Sequence, residues 1–382
     1  MKLKPIEEQV VVVVGASSGI GREVALRFAG RGAKVVVAAR GEPGLRSLVG
    51  EIEARGGEAA HAVCDAVDFA QVEALADTAV RRFGRIDTWV NDAAVSVYAR
   101  AEDTAPEEFR RVMEVNCLGQ VHGALAALPH LRRAGGGALI AISSVESVVS
   151  LPLHSVYSAS KHAVEGFTDA LRRELMAEGA PISVTSVKPA TINTPFFNNS
   201  LNKMDVKPQG PPPFYRPAVA ADCVLYAAEN PVCDLFAGGA AKVMTTTQMV
   251  APKLVDAATA RFGIPSSRTD ELEPGGRRAT CSRRARRTTG SRAISAAAPG
   301  GSACTPGWRR TRGRRPSRRR AACWRGRSCS RARAGTARIG GAARSGSPPA
   351  SDPAAGRRGR DGMARHGGGP GAQGGAARRD PR

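Results

Sequence analysis

Short runs of β-branched and apolar residues alternate with longer stretches of helical period over the first 190 positions of the chain. Val10–Val14, Lys34–Ala39, Glu58–Val63, Asp87–Val90, Ala138–Ile142 and Ser183–Val187 read as strands. They are mostly apolar and lack strict two-residue alternation, which is the pattern of parallel strands covered on both faces. Ile20–Ala29, Pro43–Ala54, Gln71–Phe83, Pro106–Leu131 and Val156–Ala177 read as helices, and Leu45, Leu48, Val49 and Ile52 fall on one apolar stripe. Val243–Ala260 reads as a further amphipathic helix, suited to packing or oligomer contact more than to a membrane surface. Strand–helix alternation with short connections predicts an α/β fold, a doubly wound parallel sheet of Rossmann type with right-handed crossovers. In such sheets ligands bind beyond the carboxyl ends of the strands, so the residues just after each strand carry the chemistry.

Composition divides the chain. Residues 1–273 hold 28 Lys+Arg against 31 Asp+Glu, whereas residues 274–382 hold 28 Arg, no Lys and three acids. The whole of the +22 net charge therefore belongs to the tail. That tail has no Leu, Val, Phe or Tyr and consists mainly of Arg, Gly, Ala, Pro and Ser, a composition that cannot bury enough apolar surface to offset its ordering entropy. The expectation is one folded domain over residues 1–265, with a disordered tail over 274–382. Three readings of the tail stand open: an inert extension, a nucleic-acid-binding arm, and translation of a GC-rich gene in the wrong frame. A nucleic-acid role is disfavoured because only Trp308 and Trp324 could stack on bases.

The body cysteines, Cys64, Cys117, Cys223 and Cys233, form no CxxC pair and no zinc-like spacing with His, so reduced thiols and no metal are expected. The apolar run at Val10–Val14 is too short for a signal peptide or membrane span, and no uninterrupted apolar stretch of spanning length occurs elsewhere. A cytoplasmic location follows as the default expectation.

Directly after the first strand, Gly15-Ala16-Ser17-Ser18-Gly19-Ile20-Gly21 opens a helix. Glycines there permit a tight turn and let the backbone approach a pyrophosphate seated on the helix N-terminus. At the end of the second strand an acid would hold the ribose 2′-hydroxyl of NAD. This chain instead has Ala39-Arg40-Gly41, and a guanidinium there can fork onto a 2′-phosphate. NADP is the expected cofactor, with NAD less favoured.

After the fifth strand come Ser143-Ser144 and, farther on, Tyr157-Ser158-Ala159-Ser160-Lys161. Tyr157 and Lys161 are one helical turn apart on one face. A phenol with pKa near 10 is a poor acid/base at neutral pH, and a neighbouring ammonium favours its phenolate. Ser144 can donate to a substrate oxygen on which charge builds.

Taken with Asn91-Asp92-Ala93-Ala94 and Asn116, these motifs stand in the order and spacing of the classical short-chain dehydrogenases/reductases, which the chain resembles over residues 8–262. The resemblance implies that Tyr157 is the general acid/base and that Lys161 tunes it and binds the nicotinamide ribose. It further implies that Ser144 polarises the carbonyl and Asn116 supports a proton-relay water. Gly15, Ser17, Ser18, Gly19, Ile20, Gly21, Arg40, Asp65, Asn91, Ala93, Pro189 and Thr194 would join Tyr157 and Lys161 in binding the cofactor. Asp65 would contact adenine and Thr194 the carboxamide. Three positions depart from the family pattern: Val14 replaces a usual Thr, Asp92 and Ala94 alter Asn-Asn-Ala-Gly, and Pro189-Ala190 replaces Pro-Gly.

The implied activity is interconversion of a small-molecule carbonyl and alcohol by hydride transfer, in a homo-oligomer. Its rivals are a cofactor-binding scaffold without turnover and nucleic-acid association through the basic tail. Phe196-Phe197 and the Pro211–Pro213 run read either as an apolar lid over the substrate or as a core or subunit contact. His154, three residues before Tyr157, reads as a surface histidine or as one lining the pocket, and no role is assigned to it.

Overall fold

The computed structural model describes residues 1–273; the tail expectations for 274–382 lie outside the described residues. Seven strands form one parallel sheet: β1 (Val10–Val14), β2 (Lys34–Ala39), β3 (Ala59–Val63), β4 (Thr88–Asn91), β5 (Gly137–Ile142), β6 (Ile182–Pro189) and β7 (Asp234–Ala237). Their order across the sheet is β7-β6-β5-β4-β1-β2-β3, so the winding reverses between β1 and β4. That switch point is where a doubly wound sheet opens a crevice for a ligand.

The strand sequences look uniformly apolar because each face has its own core. Val11 and Val13 of β1, with Val35 and Val37 of β2 and Ile140 of β5, pack on one side. Their partners there are α1 (Gly19–Gly30), α2 (Glu42–Ala54) and α7 (Pro217–Glu229), through residues such as Phe28, Leu48 and Val224. Val12, Val14, Val36, Trp89 and Leu139 point the opposite way, toward α3 (Phe69–Phe83), α5 (Gly119–Arg133) and α6 (Ser155–Ala177), where Leu75, Leu131 and Leu175 receive them. Successive side chains of a strand leave on opposite faces, so burial on both sides erases the two-residue period.

Three expectations change. The stretch Pro106–Leu131 is not one helix: α4 (Pro106–Met113) gives way to a π-helical turn at Glu114–Leu118 before α5 begins. The expected helix over Val243–Ala260 is two, α8 (Gly239–Val250) and α9 (Pro252–Ser266), because Pro252 cannot continue the first and opens the second. Finally, ordered structure runs past residue 265, where Arg268–Leu272 pairs antiparallel with Val206–Pro208. Neither α7 nor β7 is among the expected elements: α7 carries a helical period through Ala220, Val224, Leu225 and Ala228, while β7 is a four-residue edge strand, too short to show one.

Candidate active site

The loop from β1 into α1 is shaped by what a side chain would strike. Gly15 has φ +96°, and a Cβ there would lie 2.5 Å from the Ala93 amide nitrogen. Only glycine takes that conformation without strain and tolerates the contact. A Cβ on Gly21 would meet the Gly15 carbonyl at 2.7 Å and an Asp92 carboxylate oxygen at 2.8 Å. Gly19 turns toward Thr194, whose Cβ is 3.4 Å from where its own would be, so the loops after β1 and β6 face each other.

Ser18 is the N-cap of α1 and its side chain makes no cap bond. The Gly21 amide donates to Asp92 at 2.7 Å, while Gly19 and Ile20, whose amides an α-helix leaves without internal acceptors, receive none from that cap. Arg40 is exposed after β2 and forms no ion pair with a described residue. A cradle shaped by Gly15 and Gly21, a helix N-terminus without a Ser18 side-chain cap and an exposed guanidinium after β2 fit a dinucleotide.

The other expected contacts separate. Ala93 packs directly beneath Gly15, and Pro189 ends β6 beside Ala237. Asp65 is half-buried; it accepts from the Val67 amide at 3.2 Å and pairs with Arg111 at 3.5 Å. The Asn91 side chain serves the fold, accepting from the Trp89 indole at 2.9 Å and donating to the Gln120 carbonyl at 3.2 Å. Gly123 of α5 leaves room for it, since a Cβ there would stand 2.1 Å from Asn91 Oδ1.

The side chains expected to react, with Lys161 and Asn116, come from three segments. Lys161 is fully buried, donates to the Ile142 carbonyl at 2.8 Å and lies 5.5 Å from the Tyr157 ring centroid. The Ser144 side chain lies near enough to the Tyr157 phenol to lower its pKa, so the two hydroxyls face each other, and Ser144 Oγ accepts from the Glu146 amide at 3.0 Å. Asn116 sits in the π-helical turn, the kind of irregularity common at functional sites. Its Oδ1 accepts from the Val95 amide at 2.8 Å, and its amide nitrogen donates to the Val95 carbonyl at 2.9 Å and the Ser160 hydroxyl at 3.0 Å. Ser160 in turn donates to the Tyr157 carbonyl at 2.7 Å, which ties the turn to α6.

Electrostatics here run against one expectation. Burial pushes the Tyr157 phenol well above its usual pKa, and the charges of Glu146 and Asp92 push the same way; only the Ser144 side chain lowers it. The Lys161 ammonium, expected to favour phenolate, does not rank among these causes. It is itself pulled down to about 8 by burial, against the raising influence of Asp92, Glu165 and Glu146. Asp92, where the family pattern has Asn, is raised to about 7 by burial, with the Gly21 amide and Lys161 opposing.

A cluster that spacing did not reveal surrounds the phenol. His154 stacks on Tyr157 with centroids 4.5 Å apart and on Tyr98 at 4.2 Å, and Phe196 tilts against Tyr157 at 5.5 Å. Phe197 is buried with Tyr98, Met204 and Val206. Of the two phenylalanines, then, Phe196 faces the site and Phe197 is core. Among the described residues no group of His, Cys, Asp and Glu could hold a metal, and no cysteine is in a disulfide.

Residues 9–205 match the family model for short chain dehydrogenase. The chain belongs to the short-chain dehydrogenase family. It is 38% identical over 258 residues to YxnA, an uncharacterized oxidoreductase of Bacillus subtilis, an alignment covering 67% of this chain and 72% of that one. Among solved structures it resembles a single-substitution variant of the actinorhodin polyketide ketoreductase with NADPH, at 28% identity and TM-score 0.55 over 63% of this chain and 99% of that one. It also shares the fold of a short-chain dehydrogenase/reductase from Burkholderia phymatum in complex with NAD, at 24% identity and TM-score 0.59, covering 72% and 99% of the two chains. Membership makes this chain an oxidoreductase of that family. No described helix is long and apolar enough to cross a membrane.

Proposed function

We propose that this short-chain dehydrogenase is an NADP(H)-dependent oxidoreductase that interconverts a lipophilic carbonyl and its alcohol, with Tyr157 as general acid/base. The observation that carries the reading is the convergence of the Ser144 hydroxyl on a buried Tyr157 phenol, with Lys161 beneath the ring and the glycine cradle across the crevice.

Ser144 orients the carbonyl oxygen and stabilises the charge that develops on it. Tyr157 gives its phenolic proton to that oxygen in reduction and takes it back in oxidation. A bound nicotinamide supplies the hydride in reduction and accepts it in the reverse direction. Arg40 discriminates NADP from NAD through the 2′-phosphate, and Thr194, facing Gly19, contacts the carboxamide. Asp65 contacts adenine and Asn116 supports a proton-relay water. Phe196, against Tyr157, gives the substrate an apolar wall. We also infer a cytoplasmic homo-oligomer.

Titration of the full chain by reduced-nicotinamide fluorescence tests this reading together with Tyr157→Phe. NADPH binds much more tightly than NADH, and Tyr157→Phe retains NADPH binding while losing turnover of a ketone panel. Equal affinity for the two cofactors overturns the NADP assignment; normal turnover by Tyr157→Phe overturns the catalytic one.

A further inference from the structure

The ring stacked on Tyr157 is held at both of its nitrogens. His154 Nδ1 lies 2.8 Å from Glu146 Oε1, and Ser158 donates to the other carboxylate oxygen at 2.7 Å. On its far side, His154 Nε2 meets the Ser96 hydroxyl. A carboxylate only accepts, so Nδ1 is the donor to Glu146, and Nε2 of a neutral ring accepts from Ser96. Every polar group in this chain of contacts then has a partner. All of them are buried: Ser96 is 1% exposed, His154 3% and Glu146 6%.

The sequence of contacts, hydroxyl to imidazole to carboxylate, is that of a nucleophilic triad. It does not serve as one here. Ser96 is closed to solvent and the imidazole is sandwiched between Tyr98 and Tyr157, with interplanar angles of 24° and 20°. A buried polar network that is fully satisfied rigidifies what it touches, and what this one touches is the face of the phenol.

We propose that His154, clamped by Ser96 and Glu146, is a positioning residue that fixes the plane of the Tyr157 ring, and that the Glu146 carboxylate, held behind that imidazole, acts across it on the phenol. This rests on Tyr157 being the acid/base. Glu146 is among the groups that oppose ionisation of Tyr157, after burial and ahead of Asp92. It acts likewise on Tyr98, whose phenol is also raised. The charged and titratable groups facing the pair are thus Glu146 from the segment after β5, Asp92 after β4, Tyr98 on the far side of the imidazole, and Lys161 from α6.

Glu146→Gln separates charge from shape: the amide oxygen still accepts from His154 while the negative charge is gone. The readout is NMR of tyrosine labelled at the ring ζ-carbon, on the full chain with NADP+ added as the probe. The chain has four tyrosines, and Tyr157→Phe identifies the resonance. In Glu146→Gln the Tyr157 signal turns to phenolate at a pH about one unit or more below wild type. An unchanged midpoint, or a signal that stays phenolic wherever wild type does, overturns the electrostatic half.

Ser96→Ala removes only the clamp at Nε2. It lowers turnover of an activated ketone about tenfold with NADPH affinity unchanged; full turnover, or labelling of wild-type Ser96 by a fluorophosphonate, overturns the positioning half. Should Tyr157→Phe turn over normally, the proposed function fails instead, and the NMR coupling is read independently of it.

Discussion

The glycine side of this crevice is made by what is missing and the Tyr157 side by what is packed in. Around Gly15 and Gly21 the decisive feature is the absence of Cβ atoms, one of which would lie 2.5 Å from Ala93 and another 2.7 Å from the Gly15 carbonyl. Around Tyr157 the decisive feature is a stack of rings drawn from residues 98, 154, 157 and 196, with Ser144, Glu146 and Lys161 at its edges. The cradle's glycines lie within one short run of sequence, and they close on Ala93 and Asp92 of the loop after β4. A side-chain stack depends on several loops arriving together, so it concentrates both the chemistry and the sensitivity to substitution.

The largest effect that sharpens this contrast is on the stacked side. Tyr157→Phe keeps the ring and removes one hydroxyl, and kcat for ketone reduction falls about a thousandfold while NADPH affinity and melting temperature hold. Next, Gly15→Val strikes the cradle, combining a φ of +96° with the Ala93 contact. It costs about 2 kcal/mol or more of stability and abolishes cofactor binding, measured by thermal melting and fluorescence titration. Arg40→Ala has a narrower consequence: NADPH affinity drops about tenfold to a hundredfold and NADH affinity is unmoved.

The smallest effect lies where the two regions meet. Asp92 accepts from the Gly21 amide on one side and acts on both Tyr157 and Lys161 on the other. Its pKa in the fold is raised from 3.8 to about 7. Between those values the folded chain binds more protons than the unfolded one, so stability falls as pH rises across that window. Asp92→Asn keeps the acceptor and removes the charge, so the melting temperature becomes flatter between about pH 4 and 7. An unchanged slope would show that Asp92 is ionised throughout.

The same contrast explains what was legible beforehand. The glycine turn, Arg40, Ser144, Tyr157 and Lys161 are visible because each is tied to a strand end or a helical turn. Six of the sheet strands are visible because β-branched runs mark them; the seventh, Asp234–Ala237, offers four residues at an edge. The break at Glu114–Leu118 is hidden because a π-helical turn barely disturbs the apolar period, yet it carries Asn116 to Val95 and Ser160. Glu146 is hidden too, since nothing in its spacing shows that its carboxylate turns inward to His154. Burial, too, cannot be read from spacing, and it is the largest influence on both Tyr157 and Lys161.

The most direct test of the central claim is transfer of label. Incubating the full chain with NADPH deuterated at the transferring carbon and a panel of lipophilic ketones, followed by mass spectrometry of the alcohols, reads hydride transfer itself. The account predicts one deuterium on the carbinol carbon with wild type and almost none with Tyr157→Phe. Unlabelled alcohol, label acquired equally with Tyr157→Phe, or no alcohol from any ketone despite tight NADPH binding would contradict it.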